Sequence, residues 1–310
     1  GAKEIGLLDE VVEAREELIP AAKAWIAAHP DAAQPWDVKG YDIPGGTPST
    51  PSFAPSLQTL AAGLRKQLGG ANYPAPPAIM AAAVEGAQVD FDSAIEIEGR
   101  YFVDVVTSQV AKNMIQAFFF DHQAVKARNG RAEDLEPFIR RITAAVLHEG
   151  ASMLAEGIPA PSIEQAAAQA GFTTRVLPDT RPKVQSRIED PSAISLRDLQ
   201  DRLLFVASLE AVRCLEEGVI GTASDANVAS ITRIGFPGWT GGVLQHINGF
   251  EDGASGFLTR ARELAEQHGE RFEPPAWLVE SARAGHLQAP PEQQRRDSPT
   301  NPLPELRYCR

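Results

Sequence analysis

The stretch that decides the fold is DRLLFVASLEAVRCLEEGVIGTASDANVASITRIGFPGWTGG, residues 201–242. Its first half repeats apolar side chains every three or four residues, the spacing of one buried helical face. These side chains belong to Leu204, Ala207, Ala211, Cys214 and Leu215. Glu216 and Glu217 lie off this face, and Gly218 is typical of a helix C-cap. The pattern predicts a long helix that ends at Gly218.

A second, shorter helix is predicted to follow. Thr222 or Ser224 is suited to cap it, with Val228 and Ile231 on its apolar side. The chain then enters Gly-Phe-Pro-Gly-Trp-Thr-Gly-Gly at 235–242, where glycines permit sharp turns and two aromatic rings require burial.

An earlier stretch, RITAAVLHEGASMLAEGIPAPSIEQAAAQAGF at 141–172, repeats this pattern. Arg141 precedes Gly157 by 16 residues, and Arg202 precedes Gly218 by 16 residues. A Gly-Phe pair then closes each stretch. Two copies of one helical unit predict a pseudo-symmetric pair that packs together. The alternative is a chance similarity between two amphipathic helices that end in Glu-Gly.

Residues 201–278, with GFPGWTGG and FLTRARELAEQHGERFEPP, resemble the last domain of 3-hydroxyacyl-CoA dehydrogenases, and more narrowly the α subunit of the multifunctional fatty-acid oxidation complex. In that family two homologous helical domains follow a Rossmann domain, and the usual GFPP reads Gly-Phe-Pro-Gly here. GLLDEVV at 6–12 resembles the end of the hydratase module, and NYPAP at 72–76 resembles a linker of the α subunit. The resemblance implies a mostly α fold of paired helical repeats, preceded by helices like the hydratase end and the linker helix.

The resemblance divides the chain into seven segments. They are a hydratase C-terminal remnant at 1–28, a Pro/Gly-rich linker with a short helix at 29–77, a long linker helix region at 78–125, a junction at 126–137, a truncated first repeat at 138–190, the dehydrogenase C-terminal helical domain at 191–279 and a disordered tail at 280–310. In the linker region Ser93 and Glu96 fit a capping box. The following stripe of Phe102, Val106, Val110, Met114 and Phe118 is expected to face the core.

The sequence departs from the family where the Rossmann domain is expected. Only 17 residues separate Phe120 from Phe138, and the chain contains no G-x-G-x-x-G motif. One βαβ unit alone takes roughly 30 residues. The Rossmann domain is therefore expected to be missing, together with the family's catalytic His and Glu. No catalytic residue is assigned, and no cofactor is expected to bind the chain as it stands, although the intact family uses NAD.

Five residues are weak candidates for substrate binding. The family's Asn-Arg pair reads Arg140-Arg141 here, so a cation replaces a neutral amide whose geometry it cannot reproduce. Phe236, Pro237, Trp239 and Thr240 either line an acyl-CoA-facing surface or plug the core between the repeats, and the plug is favoured.

Other polar residues point to no site. The hydratase carboxylates lie upstream of the preserved segment, and the acidic residues of the first helix are interpreted as a solvated face. His148-Glu149 lacks a second His four residues on, so a structural or surface role is expected and not zinc. No metal ligands are assigned to His246 or His268.

Composition limits the kinds of partner and the compartment that can be expected. The formal charge of −12 argues against nucleic acid or an anionic membrane as partner. No apolar run is long enough to predict a membrane span. Two cysteines, Cys214 and Cys309, indicate no disulfide framework, so a reducing cytoplasm is expected. The resemblance implies three candidate partners: a second copy, a thiolase-like β subunit and acyl-CoA.

Three hypotheses for function remain. By family, the chain acts in fatty-acid β-oxidation, as a catalytically incomplete hydratase and dehydrogenase subunit. The alternative is a non-catalytic helical module that dimerises or docks a thiolase-like partner. The third is a decayed or misassembled gene product, for which partial unfolding is expected.

Overall fold

A computed structural model describes residues 1–5, 7–51, 53–128, 135–179 and 195–283. All regular elements within these ranges are helical, which confirms the mostly α class. The α-helices are α1 (Leu18–Ala28), α2 (Ala54–Leu68), α3 (Ala75–Gly86), α4 (Phe91–Thr107), α5 (Gln109–Ile115), α6 (His122–Ala127), α7 (Glu136–Ala155), α8 (Ala160–Ala170), α9 (Leu196–Glu216), α10 (Ala223–Ala229), α11 (Gln245–Asn248), α12 (Gly253–His268) and α13 (Ala276–Arg283).

Short 3-10 turns and two π-helical segments connect these helices. The 3-10 turns are Arg15–Glu17, Pro35–Asp37, Gly238–Thr240 and Glu270–Phe272, and the π-helical segments are Gln116–Asp121 and Ser230–Ile234. No helix in the described ranges is both long and apolar enough to cross a membrane.

Helix α9 is the centre of the core. Its predicted apolar face is confirmed, because all five residues of that face are at most 4% exposed. Fourteen of its 21 residues are buried, so packing surrounds it on more than one side. Helices α7 and α8 pack on α9, and Phe257 of α12 stacks on Phe205 of α9 with ring centroids 4.1 Å apart.

The turn that ends each repeat helix follows the sequence prediction. Helix α9 ends at Glu216, and Gly218 adopts a φ of +72°, which favours glycine. Its counterpart Gly157 follows α7 with a φ of +93°. Of the two predicted caps of α10, Thr222 is the one used: its hydroxyl oxygen accepts a hydrogen bond from the backbone N–H of Asp225 at 3.1 Å.

Two predictions for the linker helix are wrong. The cap of α4 is Asp90, whose carboxylate accepts from the Ser93 backbone N–H at 2.9 Å. Ser93 is thus the third helical residue and not the cap, and the side chain of Asp90 satisfies the free N–H group.

The stripe from Phe102 to Phe118 does not face the core. Phe102 is 64% exposed, Val106 37% and Phe118 49%. A step of four residues exceeds one helical turn by about 40°, so a stripe of this spacing winds around the helix. The helix also ends at Thr107, and Ser108 caps a new helix, α5, by accepting from Ala111 N–H at 3.1 Å.

Some predicted boundaries fall partly outside the described ranges. The truncated first repeat is described as far as Asp179, and the junction lacks 129–134. The proposed tail begins too early, because Glu280 to Arg283 belong to α13. Residues 284–310, which include Cys309, lie outside the described residues.

Candidate functional site

The loop at 235–242 lies between the two helical repeats. The ring of Phe236, 1% exposed, meets the ring of Phe172 edge-on with centroids 5.6 Å apart. The indole Nε1–H of Trp239 donates to the carbonyl oxygen of Ala170 at 2.6 Å, at the C-terminal end of α8. Each Gly-Phe pair of the sequence repeat therefore contacts the other.

The backbones of these two turns are also joined. The N–H of Thr173 donates to the carbonyl of Gly235 at 3.0 Å, and the hydroxyl of Thr174 donates to the carbonyl of Ile234 at 2.6 Å. Gly235 has a φ of +78°, and a Cβ there would lie 2.5 Å from the Thr173 hydroxyl. The conformation and the close approach both require glycine.

The hydroxyl group of Thr240 finds both of its partners within the loop. The hydroxyl of Thr240 donates to the carbonyl of Pro237 at 2.6 Å and accepts from Gly242 N–H at 3.1 Å. Thr240 and Pro237 are both buried. These contacts are those of a plug between the repeats. A substrate-lining role for Phe236, Pro237, Trp239 and Thr240 stays a prediction.

Arg140 lies on the exposed side of α7. Among the described residues it makes no hydrogen bond to the loop at 235–242, so the five candidates do not form one cluster of polar groups. Its neighbour Arg141, in contrast, points toward the second repeat.

Arg141 and Arg202 exchange ion pairs between the repeats. Arg202 of the second repeat donates to Glu149 at 2.6 Å and, through both terminal nitrogens, to Glu156 at 2.6 and 2.7 Å. Arg141 of the first repeat donates to Glu210 at 2.7 Å and to Glu217 with both terminal nitrogens. The three residues of one repeat lie 61 positions before their counterparts in the other. The pseudo-symmetry predicted from the Arg-to-Gly spacing is therefore present as a reciprocal contact.

The role of Glu149 in these ion pairs was not predicted from the sequence. Glu149 and Glu210 each follow their repeat's arginine by eight residues. His148, its neighbour, is exposed as expected, but Glu149 is completely buried. The signal that could have identified Glu149 is the matching Glu210 at the same offset in the second repeat.

Two sets of ion pairs are thus formed: the Arg202 set, with Glu149 and Glu156, and the Arg141 set, with Glu210 and Glu217. They differ in burial. Arg202 is 1% exposed and Glu149 0%, whereas the side chains of Arg141 and Glu217 are 31% and 54% exposed. Arg271, from the 3-10 turn at 270–272, adds a second cation to the Arg202 set and pairs with Glu149. The buried set thus holds two cations and two carboxylates, which balances its charge as burial requires.

The pKa is lowered for two of these carboxylates, Glu156 and Glu217. Burial raises the pKa of Glu156, but the hydrogen bonds and charge of Arg202 outweigh it, so the pKa lies below its usual value. The hydrogen bonds from Arg141 lower the pKa of Glu217 in the same way.

A buried histidine lies beside this interface. His246 is 4% exposed, and its Nδ1 atom lies 3.0 Å from the hydroxyl of Ser208. The rings of Phe205, Phe250 and Phe257 contact it edge-on. Burial lowers the pKa of His246 to about 3, so the ring is neutral at physiological pH.

The remaining titratable groups form no metal centre. Within the described ranges no group of three His, Cys, Asp or Glu side chains is arranged to hold a metal ion. Burial raises the pKa of the free thiol Cys214 to about 12, so this group is a core side chain and not a nucleophile.

The helices before the repeats dock on them through polar side chains. The buried carboxylate of Asp121 accepts from Ser224 at 3.1 Å and from Asn227 at 2.8 Å. The buried Asn113 accepts from Gln245 at 3.0 Å. One face of the segment 109–127 is thus fixed to the second repeat.

Within the described ranges, no element arrangement of the Rossmann type is present to hold a dinucleotide. Dinucleotide sites of the Rossmann type place a pyrophosphate at a glycine-rich turn between a strand and a helix. The regular elements of the described ranges are all helices, and the glycines at 235–242 connect two helical segments. No step of a reaction is therefore assigned through NAD.

No protein-family model matches the chain. Several curated relatives are named "Fatty acid oxidation complex subunit alpha". The relative from Shewanella loihica is 37% identical over 87 residues, which is 28% of this chain and 12% of that protein. The relative from Pseudomonas savastanoi pv. phaseolicola is 37% identical over 92 residues, 30% of this chain and 12% of that protein. The relative from Vibrio vulnificus is 31% identical over 99 residues, 32% of this chain and 14% of that protein.

The fold is that of a protein with two paired helical repeats. Over about 30% of its length, the chain resembles the α subunit of the fatty acid oxidation complex, as the sequence motifs indicated. The matched part spans only 12–14% of the length of these three relatives.

The pseudo-symmetric arginines provide a matched pair of substitutions. We expect Arg202→Met to lower the free energy of unfolding by about 3–5 kcal/mol, because it leaves the carboxylates of Glu149 and Glu156 with one cation, Arg271, between them. Arg141→Met should cost about 1 kcal/mol, because its partners are reached by solvent. Urea denaturation followed by circular dichroism measures both. Equal losses in the two variants would contradict the assigned difference in burial.

The pH dependence of stability tests the burial of His246. Its pKa is about 3 in the folded chain and 6.5 in the reference state, so the unfolded chain takes up a proton as pH falls below 6.5 and the folded chain does not. The contribution of His246 to the free energy of unfolding is present above pH 6.5 and is lost as the pH falls toward 3, by about 2 kcal/mol between pH 6.5 and 5. His246→Gln should remove this contribution to the slope of the unfolding free energy against pH, and the exposed control His148→Gln should retain it. An unchanged slope in His246→Gln would show that the ring is solvated.

Proposed function

We propose that this chain acts in fatty-acid β-oxidation as an incomplete relative of the α subunit, in which the helical repeats serve as a structural and assembly module. Two findings support this proposal. The comparisons give relatives named for the fatty acid oxidation complex. The loop at 235–242, which carries four of the five substrate-binding candidates, donates from Trp239 to the first repeat and from Thr240 to its own Pro237.

The single observation that carries the proposal is the hydrogen bond of Trp239 to Ala170. It fixes the indole on the first repeat, so the side chain that could best stack on an acyl-CoA is committed to internal packing. Binding a substrate there would require this contact to open.

The chemistry of the dehydrogenase step also disfavours an active chain. Oxidation of a 3-hydroxyacyl-CoA needs a general base within hydrogen-bonding reach of the hydroxyl group. His246 is buried behind phenylalanine rings and lies out of reach of a substrate. At the position of the family's Asn, Arg140 carries a cation with no acceptor atom, so it cannot replace the amide in holding a substrate.

A second candidate function is docking of another subunit. The segment 109–127 is fixed to the second repeat, and it leaves Phe118, Phe119 and Phe120 about half exposed, at 49%, 57% and 56%. Adjacent exposed aromatic side chains are typical of an interaction site. A second copy and a thiolase-like β subunit are the two partners proposed by resemblance. We place the chain in the reducing cytoplasm, because Cys214 is a free thiol.

An activity measurement tests the proposal. The purified chain is incubated with NAD and a 3-hydroxyacyl-CoA, and NADH formation is followed by absorbance. We expect no turnover from the chain or from Arg140→Asn, which restores the family's residue, while an added active dehydrogenase shows that the assay works. Turnover that coelutes with the chain on gel filtration and disappears in Arg140→Ala would overturn the proposal.

A further inference from the structure

A polar cavity lies where the segment 109–127 docks on the second repeat. Its volume is about 250 Å³, and it is partly enclosed. The π-helical segment Gln116–Asp121 and the helices α9, α10, α11 and α13 contribute its lining. A water molecule takes about 30 Å³ in the liquid, so the cavity has room for a small molecule and not for a peptide segment. Neither candidate function uses this cavity.

Asp121 places a buried carboxylate in the cavity lining. Asp121 is 4% exposed. Its Oδ1 atom accepts hydrogen bonds from the Gln116 amide at 2.9 Å and the Ser224 hydroxyl at 3.1 Å, and its Oδ2 atom accepts from Asn227 at 2.8 Å. All three donors are neutral, and no basic side chain in the described part of the chain forms an ion pair with this carboxylate. A buried carboxylate of this kind attracts a cation, because burial removes the water that would stabilise its charge.

Two amide groups in the lining are held with their oxygen atoms free. The NH2 group of Gln116 donates to Asp121, and the NH2 group of Gln245 donates to the side-chain oxygen of Asn113 at 3.0 Å. A donating NH2 group fixes which end of each amide is the oxygen. Among the described residues, neither oxygen has a hydrogen-bond donor, and the exposed side chain of Asn248 has no hydrogen-bond partner. The lining therefore offers acceptors to a ligand that carries several donors.

These acceptors favour an ammonium group over a guanidinium group. A carboxylate offers about two acceptor positions on each oxygen. Both positions on Oδ1 of Asp121 are occupied, so the two parallel hydrogen bonds that a guanidinium forms with a carboxylate have no place here. A primary ammonium group donates from one compact nitrogen and needs only the remaining position on Oδ2 together with nearby amide oxygens. An anionic ligand would be repelled by Asp121.

The rest of the lining is apolar. Leu215 and Leu244 are each 2% exposed, and Trp277 belongs to the same wall. Hard metal ions such as Ca²⁺ take about six to eight oxygen ligands, which a lining of this composition does not supply. A short alkyl chain attached to an ammonium group suits such a wall, because its burial removes apolar surface from water.

We propose that this cavity binds a protonated primary amine. Its ammonium group donates to Asp121 and to the free amide oxygens of Gln116 and Gln245, and its alkyl chain lies against the apolar wall. The amine supplies the cation that the described residues do not provide to Asp121. The site does not depend on a role in β-oxidation, so its test is independent of the activity measurement.

Calorimetric titration of the full chain with n-butylammonium chloride tests the proposal. We expect one site with a dissociation constant on the order of 1 mM, because the probe has about five non-hydrogen atoms. n-Butanol and butyrate have the same chain length without the positive charge, and both should bind at least about tenfold more weakly. n-Butylguanidinium and potassium chloride, at matched ionic strength, should also bind at least about tenfold more weakly.

Three substitutions locate the site. Asp121→Asn removes the charge and should weaken the binding of n-butylammonium at least about tenfold. The matched control Asp104→Asn changes an exposed carboxylate of α4 outside the cavity and should bind as the wild type does. Asn248→Asp adds a carboxylate at an exposed position of the lining and should tighten binding about threefold. Because this change breaks no side-chain hydrogen bond among the described residues, it remains informative where Asp121→Asn does not fold.

A lysine side chain of another protein carries the same ammonium group. Nα-acetyl-lysine N-methylamide, titrated in parallel, separates the two sources. Tighter binding than that of n-butylammonium would assign the site to a lysine, and weaker binding would assign it to a free amine.

Four results would overturn the proposal. They are absence of binding at tens of millimolar n-butylammonium, equal binding of n-butanol or n-butylguanidinium, tighter binding of potassium, and unchanged binding in both Asp121→Asn and Asn248→Asp. Circular dichroism of each variant checks that the helical fold is retained.

Discussion

The reciprocal ion pairs between the repeats are the constraint on which the rest of the structure depends. Arg202 reaches Glu149 and Glu156 of the first repeat, and Arg141 reaches Glu210 and Glu217 of the second. Each repeat therefore supplies the two carboxylates that pair with the arginine of the other repeat. Neither helix could move along the other without separating charges that lie in or near the core, so the exchange fixes their relative register.

The segments that come after the two repeats differ and break the pseudo-symmetry. After the second repeat, the chain continues through α12 and the turn at 270–272, and Arg271 from this turn covers Glu149. The first repeat contributes no such turn within the described ranges, so the Arg141 set stays closer to solvent. Phe236 and Trp239 of the loop at 235–242 pack at the C-terminal end of α8. These contacts join the two repeats at this end of the core.

The sequence predicted the repeats better than the helices before them. The buried face of α9 and the Arg-to-Gly spacing follow from local periodicity, which one chain segment is sufficient to reveal. The strict four-residue step of the stripe that begins at Phe102 argues against one buried face, because such a stripe winds around the helix. The extent to which Phe102 is exposed depends on tertiary packing, which the spacing does not give. The burial of Glu149 was also missed, since a glutamate beside an exposed His148 gives no local sign of a partner 53 residues away. The loop was predicted as a plug in preference to a substrate surface, but its bond to Ala170 depends on tertiary contact.

Hydrogen exchange of the native chain tests most directly whether the two repeats stabilise each other. Measured by mass spectrometry at pH 7, the backbone amides of α7 and α9 should exchange through one shared opening, with the same and highest free energy in the chain. Helices α3 and α4, which take no part in the ion pairs between the repeats, should open at lower free energy. A result in which α7 opens well before α9 would contradict the account, because it would show that the second repeat is stable without the first.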